Sequence, residues 1–226
     1  MVGAGMGGLA VAARLAAKGH LVTVYEQWTG PGGKNAGFER DGFRFDLGPS
    51  TLTLPAVYRD LFLKTGRSLE DSVDLREVDP AFGYHFADGS GVTLPGAGVG
   101  ACATALQDDL GGDASHEWRA LLRRAGEIWS LTRSDVLGRP LDGYRDLLPL
   151  AKSTRSLRTV APWQTLRGLG RATLQDPRAR MILDRYATYT GSDPRKAPAA
   201  LVTIPFIEQT FGVTPDLMTV AKGLTN

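Results

Sequence analysis

The chain has one cysteine, Cys102. No intramolecular disulfide can form, and a reducing, cytosolic setting fits. Cys102 lies in the run Gly100-Ala101-Cys102-Ala103-Thr104-Ala105, where a thiol reads as a small buried side chain rather than a nucleophile. Histidine is nearly as scarce. His20 precedes an apolar stretch, His85 sits between Tyr84 and Phe86, and His116 stands near an expected helix start. None has a partner at a spacing that suggests a metal or a catalytic pair, so no metal site and no catalytic residue is assigned. No apolar run approaches the length of a membrane span, and no secretory leader is visible before the first motif. The 26 basic and 24 acidic residues leave a formal net charge of +2. That is too little for a general nucleic-acid-binding surface, and no nucleic-acid partner is expected.

Glycine is plentiful, with 28 in 226 residues, alongside 13 prolines. With 42% hydrophobic and 22% charged residues, this is a globular composition with many turns. The length suits one large or two small domains.

The organising stretch is Val2 to Glu26. Gly3, Gly5 and Gly8 form a G-x-G-x-x-G with Met6 and Gly7 between them. Leu9, Val11, Ala12, Leu15 and Ala16 follow at helical spacing, and Leu21 to Tyr25 reads as a strand ending on Glu26. Turn, helix, strand and acid in that order are a dinucleotide-binding fingerprint. Gly3 permits the tight turn, Gly5 lets a pyrophosphate approach the backbone, and Gly8 lets helix and strand pack closely. The helix start offers free N–H groups and partial positive charge to phosphates. Glu26 is suited to a ribose 2′-OH and would repel a 2′-phosphate. Only Met1 and Val2 precede Gly3. Either the chain starts late, inside the first strand, or the fold lacks most of that strand.

The loop Gln27-Trp28-Thr29-Gly30-Pro31-Gly32-Gly33-Lys34 comes next. Gly37 to Asp46 then reads as two short strands about the Asp41-Gly42 turn. Leu47-Gly48-Pro49-Ser50 leads to a helix near Pro55 to Lys64. An acid-ended strand, a Gly-Gly-Lys and then Gly-Phe-x-Phe-Asp-x-Gly-Pro resemble the opening of the flavoprotein superfamily that includes amine oxidases and carotenoid desaturases. The resemblance implies FAD as the cofactor, with the Gly-Gly-Lys loop near its pyrophosphate and flavin and the Phe-Asp-x-Gly-Pro segment near the isoalloxazine. The cofactor-binding residues so implied are Gly3, Gly5, Met6, Gly7, Gly8, Glu26, Gln27, Gly32, Gly33, Lys34, Gly48, Pro49 and Ser50. The ammonium of Lys34 is either a charge for the cofactor or a solvated surface group.

From Asp71 the texture changes. Val73 to Val78 alternates as a strand. Phe82 to Phe86 and Val92 to Leu94 read as a hairpin across Asp88-Gly89. Helices are expected over Val99–Leu110, then over a longer segment capped by Asp113 or Ser115 with Trp118, Leu121, Leu122, Ala125, Ile128, Trp129 and Leu131 on one face. Further helices are expected over Asp142–Leu150, Trp163–Leu174 and Pro177–Tyr189. The expected fold is α/β: a partial Rossmann-like FAD-binding domain over residues 1–72, then a mostly helical α+β substrate domain over 73–226, incomplete at both ends.

No acid occurs from Leu147 to Gln175, where Lys152, Arg155, Arg158, Arg167 and Arg171 interleave with leucines and Trp163. Such a stretch is either a peripheral membrane contact, at the inner face of the cell membrane, or a helix pair with a solvated basic face. Arg185-Tyr186-Ala187-Thr188-Tyr189-Thr190-Gly191-Ser192-Asp193-Pro194 with Ala197-Pro198-Ala199 resembles a segment of bacterial-type phytoene desaturases. That resemblance implies a long isoprenoid or carotenoid substrate and flavin-dependent desaturation. A related isomerase, ketolase or amine oxidase, or an inactive remnant unable to hold FAD, are the alternatives. Past Phe211 the similarity fades.

Overall fold

A computed structural model describes residues 1–49, 51–75, 77–133, 142–143 and 153–215. The chain forms two compact units: Met1–Val78 together with the residues from Phe211 on, and Asp79–Thr210.

The first unit opens with helix α1, Met6–Ala17. Val2 pairs with Tyr25 in a parallel bridge, through Gly3 N–H to the Tyr25 carbonyl (2.8 Å) and Tyr25 N–H to the Met1 carbonyl (2.9 Å). The expected strand over Leu21–Tyr25 is not a ladder. Among the described residues its backbone has only Met1–Gly3 as a neighbour, and a strand exists only where partners satisfy its polar groups. The hairpin of β1, Gly37–Arg40, and β2, Phe43–Asp46, is present. Asp41 and Gly42 both take positive φ, 54° and 80°, as a two-residue turn matched to strand twist requires. Strand β3, Thr51–Thr53, precedes helix α2, Pro55–Thr65, whose first position is the proline. Leu52, Phe62, Leu69 and Val73 are buried together, with Met6 and Leu75 against them. The expected strand over Val73–Val78 is therefore corrected. Val73 donates its N–H to the Leu69 carbonyl (2.9 Å), and the alternating apolar residues are met by packing on α2 rather than by strand pairing. Arg76 lies outside the described residues. β3 pairs antiparallel with β6, Val213–Pro215.

The second unit carries the larger core. Strands β4, Phe82–His85, and β5, Gly91–Leu94, form the expected hairpin. Helices α3, Val99–Leu110, and α4, Ala114–Thr132, follow. Cys102, Leu106, Trp118, Leu121, Leu122 and Ile128 are all buried between them and their neighbours. Burial also pushes the Cys102 thiol up to about 12, as expected of an inert packing residue. Asp113 stands at the N-cap of α4, just before its first residue, but its side chain caps nothing. The amide of Ser115 is bonded instead by Gln107 Oε1 of α3 (3.1 Å), whose Nε2 donates to the Gly112 carbonyl (2.7 Å). One glutamine satisfies both sides of the α3–α4 turn, so neither expected cap is needed.

The helix expected over Asp142–Leu150 falls almost wholly outside the described residues. Helix α5 spans Thr154–Val160. Helix α6 is shorter than expected, Leu166–Thr173, because Thr165 caps it by accepting the Gly168 N–H (3.1 Å); Trp163 is left on the surface. Helix α7 is Pro177–Arg185, capped by Asp176. It tightens into a 3₁₀ turn over Tyr186–Thr190 before Gly191 reverses the chain at φ 63°. Helix α8 spans Thr203–Phe211.

At the centre of this unit a carboxylate is buried. Glu208 is 2% exposed. Its Oε1 accepts from Tyr186 Oη (2.6 Å) and Arg185 Nη2 (3.4 Å), and its Oε2 from Tyr189 Oη (2.7 Å). The Arg185 guanidinium lies over Phe82 (4.2 Å) and Tyr186 (4.3 Å). The next residue, Gln209, accepts from the buried Trp118 Nε1 (3.0 Å). The Arg-Tyr-Ala-Thr-Tyr run is thus tied to α8 by hydrogen bonds. Removing the carboxylate strands the guanidinium among aromatic rings. Glu208→Ala is expected to cost about 3–5 kcal/mol of stability, with Glu208→Gln intermediate, read as urea midpoints by circular dichroism.

Candidate functional site

The glycine corner is built by close backbone packing. At Gly8 a Cβ would overlap the carbonyl oxygen of Gly3. Gly3 itself has φ 94°, which an L side chain rarely adopts. Gly5 differs from both. Its backbone is extended, at φ −72° and ψ 174°, and a Cβ there meets nothing within 4 Å. Space is open above Gly5, at the start of α1, where Met6, Gly7 and Gly8 have no carbonyl a turn earlier to accept their N–H groups. No acidic side chain occupies that first turn. The partial positive charge of the helix start has no counter-charge from the helix itself.

Glu26 closes the corner. Its Oε2 accepts the Ala4 N–H (2.6 Å) and its Oε1 the Trp28 N–H (3.1 Å). The Ala4 amide, then that of Trp28, hold the carboxyl below the usual glutamate range, so it is charged at neutral pH. Gln27 is exposed beside it.

The second loop lies on the first. Gly32 donates its N–H to the Ala4 carbonyl (2.8 Å) and bridges Gly5 in parallel. A Cβ on Gly33 would come to 3.1 Å from Gly5 Cα. Lys34 is exposed, and among the described residues its ammonium has no carboxylate partner. The third segment packs on the second: a Cβ at Gly48 would overlap the Lys34 carbonyl oxygen, and Leu47 N–H bonds the Ala36 carbonyl (2.9 Å). Pro49 is exposed. Ser50 lies outside the described residues. The Met6 side chain packs with Ala4 and Leu9 on one side and with the Leu52, Phe62 and Leu69 cluster on the other, leaving the backbone amide as what Met6 can offer an anion.

Three stretches separated in sequence thus pack in succession: Gly32–Gly33 on Ala4–Gly5 at the start of α1, and Gly48 on Lys34. That assembly suits a diphosphate between two glycine loops, with a sugar at the acid. Beside it a groove of about 560 Å³ is lined by Leu9, Ala12, Val24, Glu26 and Trp28, among others. The sequence signal of Trp28 is a large aromatic two residues beyond the acid.

Residues 1–63 match the NAD(P)-binding Rossmann-like domain family. Over 94% of its length the chain is similar to the 4,4'-diapolycopene oxygenase of Methylomonas sp, at 32% identity across 218 residues and 42% of that protein. It is similar to the zeta-carotene-forming phytoene desaturase of Myxococcus xanthus at 34% identity, covering 94% of this chain and 41% of that one. It is similar to the neurosporene-forming phytoene desaturase of Cereibacter sphaeroides at 32% identity, covering 94% and 40%. The chain therefore spans about two-fifths of the length of these relatives. A mutant putrescine oxidase superposes with TM-score 0.59 at 15% identity, over 99% of this chain and 47% of that one, a likeness of fold.

The glycines separate by role. Gly8→Ala and Gly48→Ala are expected to lose about 1–3 kcal/mol by forced overlap. Gly5→Ala is expected to leave the melting temperature unchanged or slightly raised while weakening adenine-dinucleotide binding, measured by calorimetry. Because the folded pKa of Glu26 is lowered, its contribution is full above the ordinary glutamate value, about 4.3, and is lost as pH falls through the lower folded value. Glu26→Gln should remove that part of the acid sensitivity, read as melting temperature against pH.

Proposed function

We propose that this relative of the carotenoid desaturases holds FAD at the glycine corner and belongs to an oxidoreductase that desaturates a long isoprenoid. The observation that carries the reading is the packing of Gly32–Gly33 on the uncapped helix start at Gly3–Gly8, beside Glu26, with Gly48 packed on Lys34 in turn, in a chain 31–34% identical to carotenoid-desaturating relatives over 94% of its length. The residues present fit the cofactor. Amides of Met6, Gly7 and Gly8 would meet the diphosphate, Glu26 the ribose hydroxyls, and the Gly32–Gly33 backbone with Lys34 the remaining phosphate charge. Gln27 and Pro49 border that site. When bound, the flavin accepts the two hydrogens removed from adjacent carbons. The residues of this chain bind and orient; none of them is assigned a proton-transfer role. Cofactor binding is assigned to the first unit and substrate contacts to the second.

A substrate of this class resides in lipid, and a peripheral membrane contact follows. Arg155, Arg158, Arg171 and Trp163 are exposed, a basic and aromatic combination that suits an anionic bilayer surface. No described helix is long and apolar enough to cross a membrane. A second reading is favoured by the similarity to an oxygenase acting on the same polyene class: oxidation of a chain end in place of desaturation.

Two measurements test the proposal. Expression of the complete reading frame with phytoene is expected to give longer-wavelength polyene bands and products lighter by two hydrogens per step. Products heavier by oxygen select the second reading, and unchanged phytoene removes both. Flotation with phosphatidylglycerol vesicles is expected to recover the protein at low salt and to lose it in Trp163→Ala or Arg155→Glu/Arg158→Glu; equal recovery of all three removes the membrane contact.

A further inference from the structure

We infer that Trp28 is the platform on which the adenine of the bound dinucleotide stacks, an assignment that rests on the dinucleotide reading above. Trp28 is 57% exposed, so the largest side chain in the loop contributes little to the core. Its backbone is nevertheless fixed. The Trp28 N–H donates to Glu26 Oε1 (3.1 Å), while Glu26 Oε2 is held by the Ala4 N–H (2.6 Å). The main chain that carries the indole is therefore held two residues from the carboxylate suited to the ribose.

Trp28 and Glu26 line the same groove, with Val24 and Pro31. A base attached to the ribose at Glu26 lies within a ring's reach of that groove. Among the described residues the indole takes part in no ring stacking and lies under no cation, and more than half of its surface is exposed. An indole face matches a purine in size, and stacking needs no particular hydrogen-bonding edge. The division of labour is then spatial: helix start for the diphosphate, Glu26 for the sugar, Trp28 for the base. The other exposed tryptophan, Trp163 at 67%, has arginines around it in sequence and no such acid.

Calorimetry on the intact polypeptide with ADP and with inorganic pyrophosphate tests this directly. Trp28→Ala is expected to weaken ADP about tenfold and to leave pyrophosphate unchanged, while Trp28→Phe keeps most of the ADP affinity. Equal ADP affinity in the unaltered protein and Trp28→Ala overturns the stacking role and leaves the dinucleotide site standing. Parallel losses for ADP and pyrophosphate also overturn it, because they report a disturbed loop rather than a lost base contact. If the unaltered protein binds neither probe, the dinucleotide site falls and the role of Trp28 falls with it.

Discussion

Gly8 touches the backbone of Gly3 so closely that no side-chain atom fits between them. Everything proposed for the first unit follows from that approach. It brings the start of α1 beside the stretch Val2–Ala4, which in turn receives Tyr25, Glu26 and Gly32 through backbone and carboxylate bonds. Each later segment is laid on the one before, Gly33 on Gly5 and Gly48 on Lys34. The site is an ordered stack of main chain, with few side chains inside it. Such a surface can approach a charged diphosphate closely, since N–H groups reach further where no Cβ intervenes.

The second unit solves a different problem. It buries an anion, Glu208, and offsets the cost with two phenols and a guanidinium held over aromatic rings. Buried polar groups of this kind are stable only when their partners are in place together. Burial and the neighbouring carboxylate hold the Tyr186 hydroxyl well above its usual value and that of Tyr189 up to about 12. Both remain donors to Glu208 at any physiological pH. The network fixes the turn after α7 against α8, and so fixes where the half-exposed Tyr189 ring stands.

Much of this was legible in the sequence where local chemistry decides it. The glycine spacing placed α1, Asp41-Gly42 placed the first hairpin, and apolar periodicity placed α3 and α4. What was not legible depended on partners distant in sequence. Leu21–Tyr25 has strand composition but, among the described residues, only one short neighbour. Val73–Val78 alternates, yet its apolar residues are satisfied on the flank of α2. Glu208 sits in the apolar run Ile204–Phe211, where a lone acid reads as surface until Tyr186, Tyr189 and Arg185 are seen to converge on it. The capping of α4 by Gln107 crosses a helix boundary that spacing rules do not span. At the corner, the sequence shows which glycines recur at the fingerprint spacing. Only the fold separates those that make room for main chain, Gly8 and Gly48, from Gly5, which faces open space.

Met6 has a consequence for motion. Its thioether leans on Ala4 and Leu9 at the phosphate corner and on the cluster of Leu52, Phe62 and Leu69 beneath α2. A flexible side chain shared by two apolar clusters links their fluctuations. An anion that ordered the first turn of α1 would, through those shared contacts, also restrain the packing beneath α2.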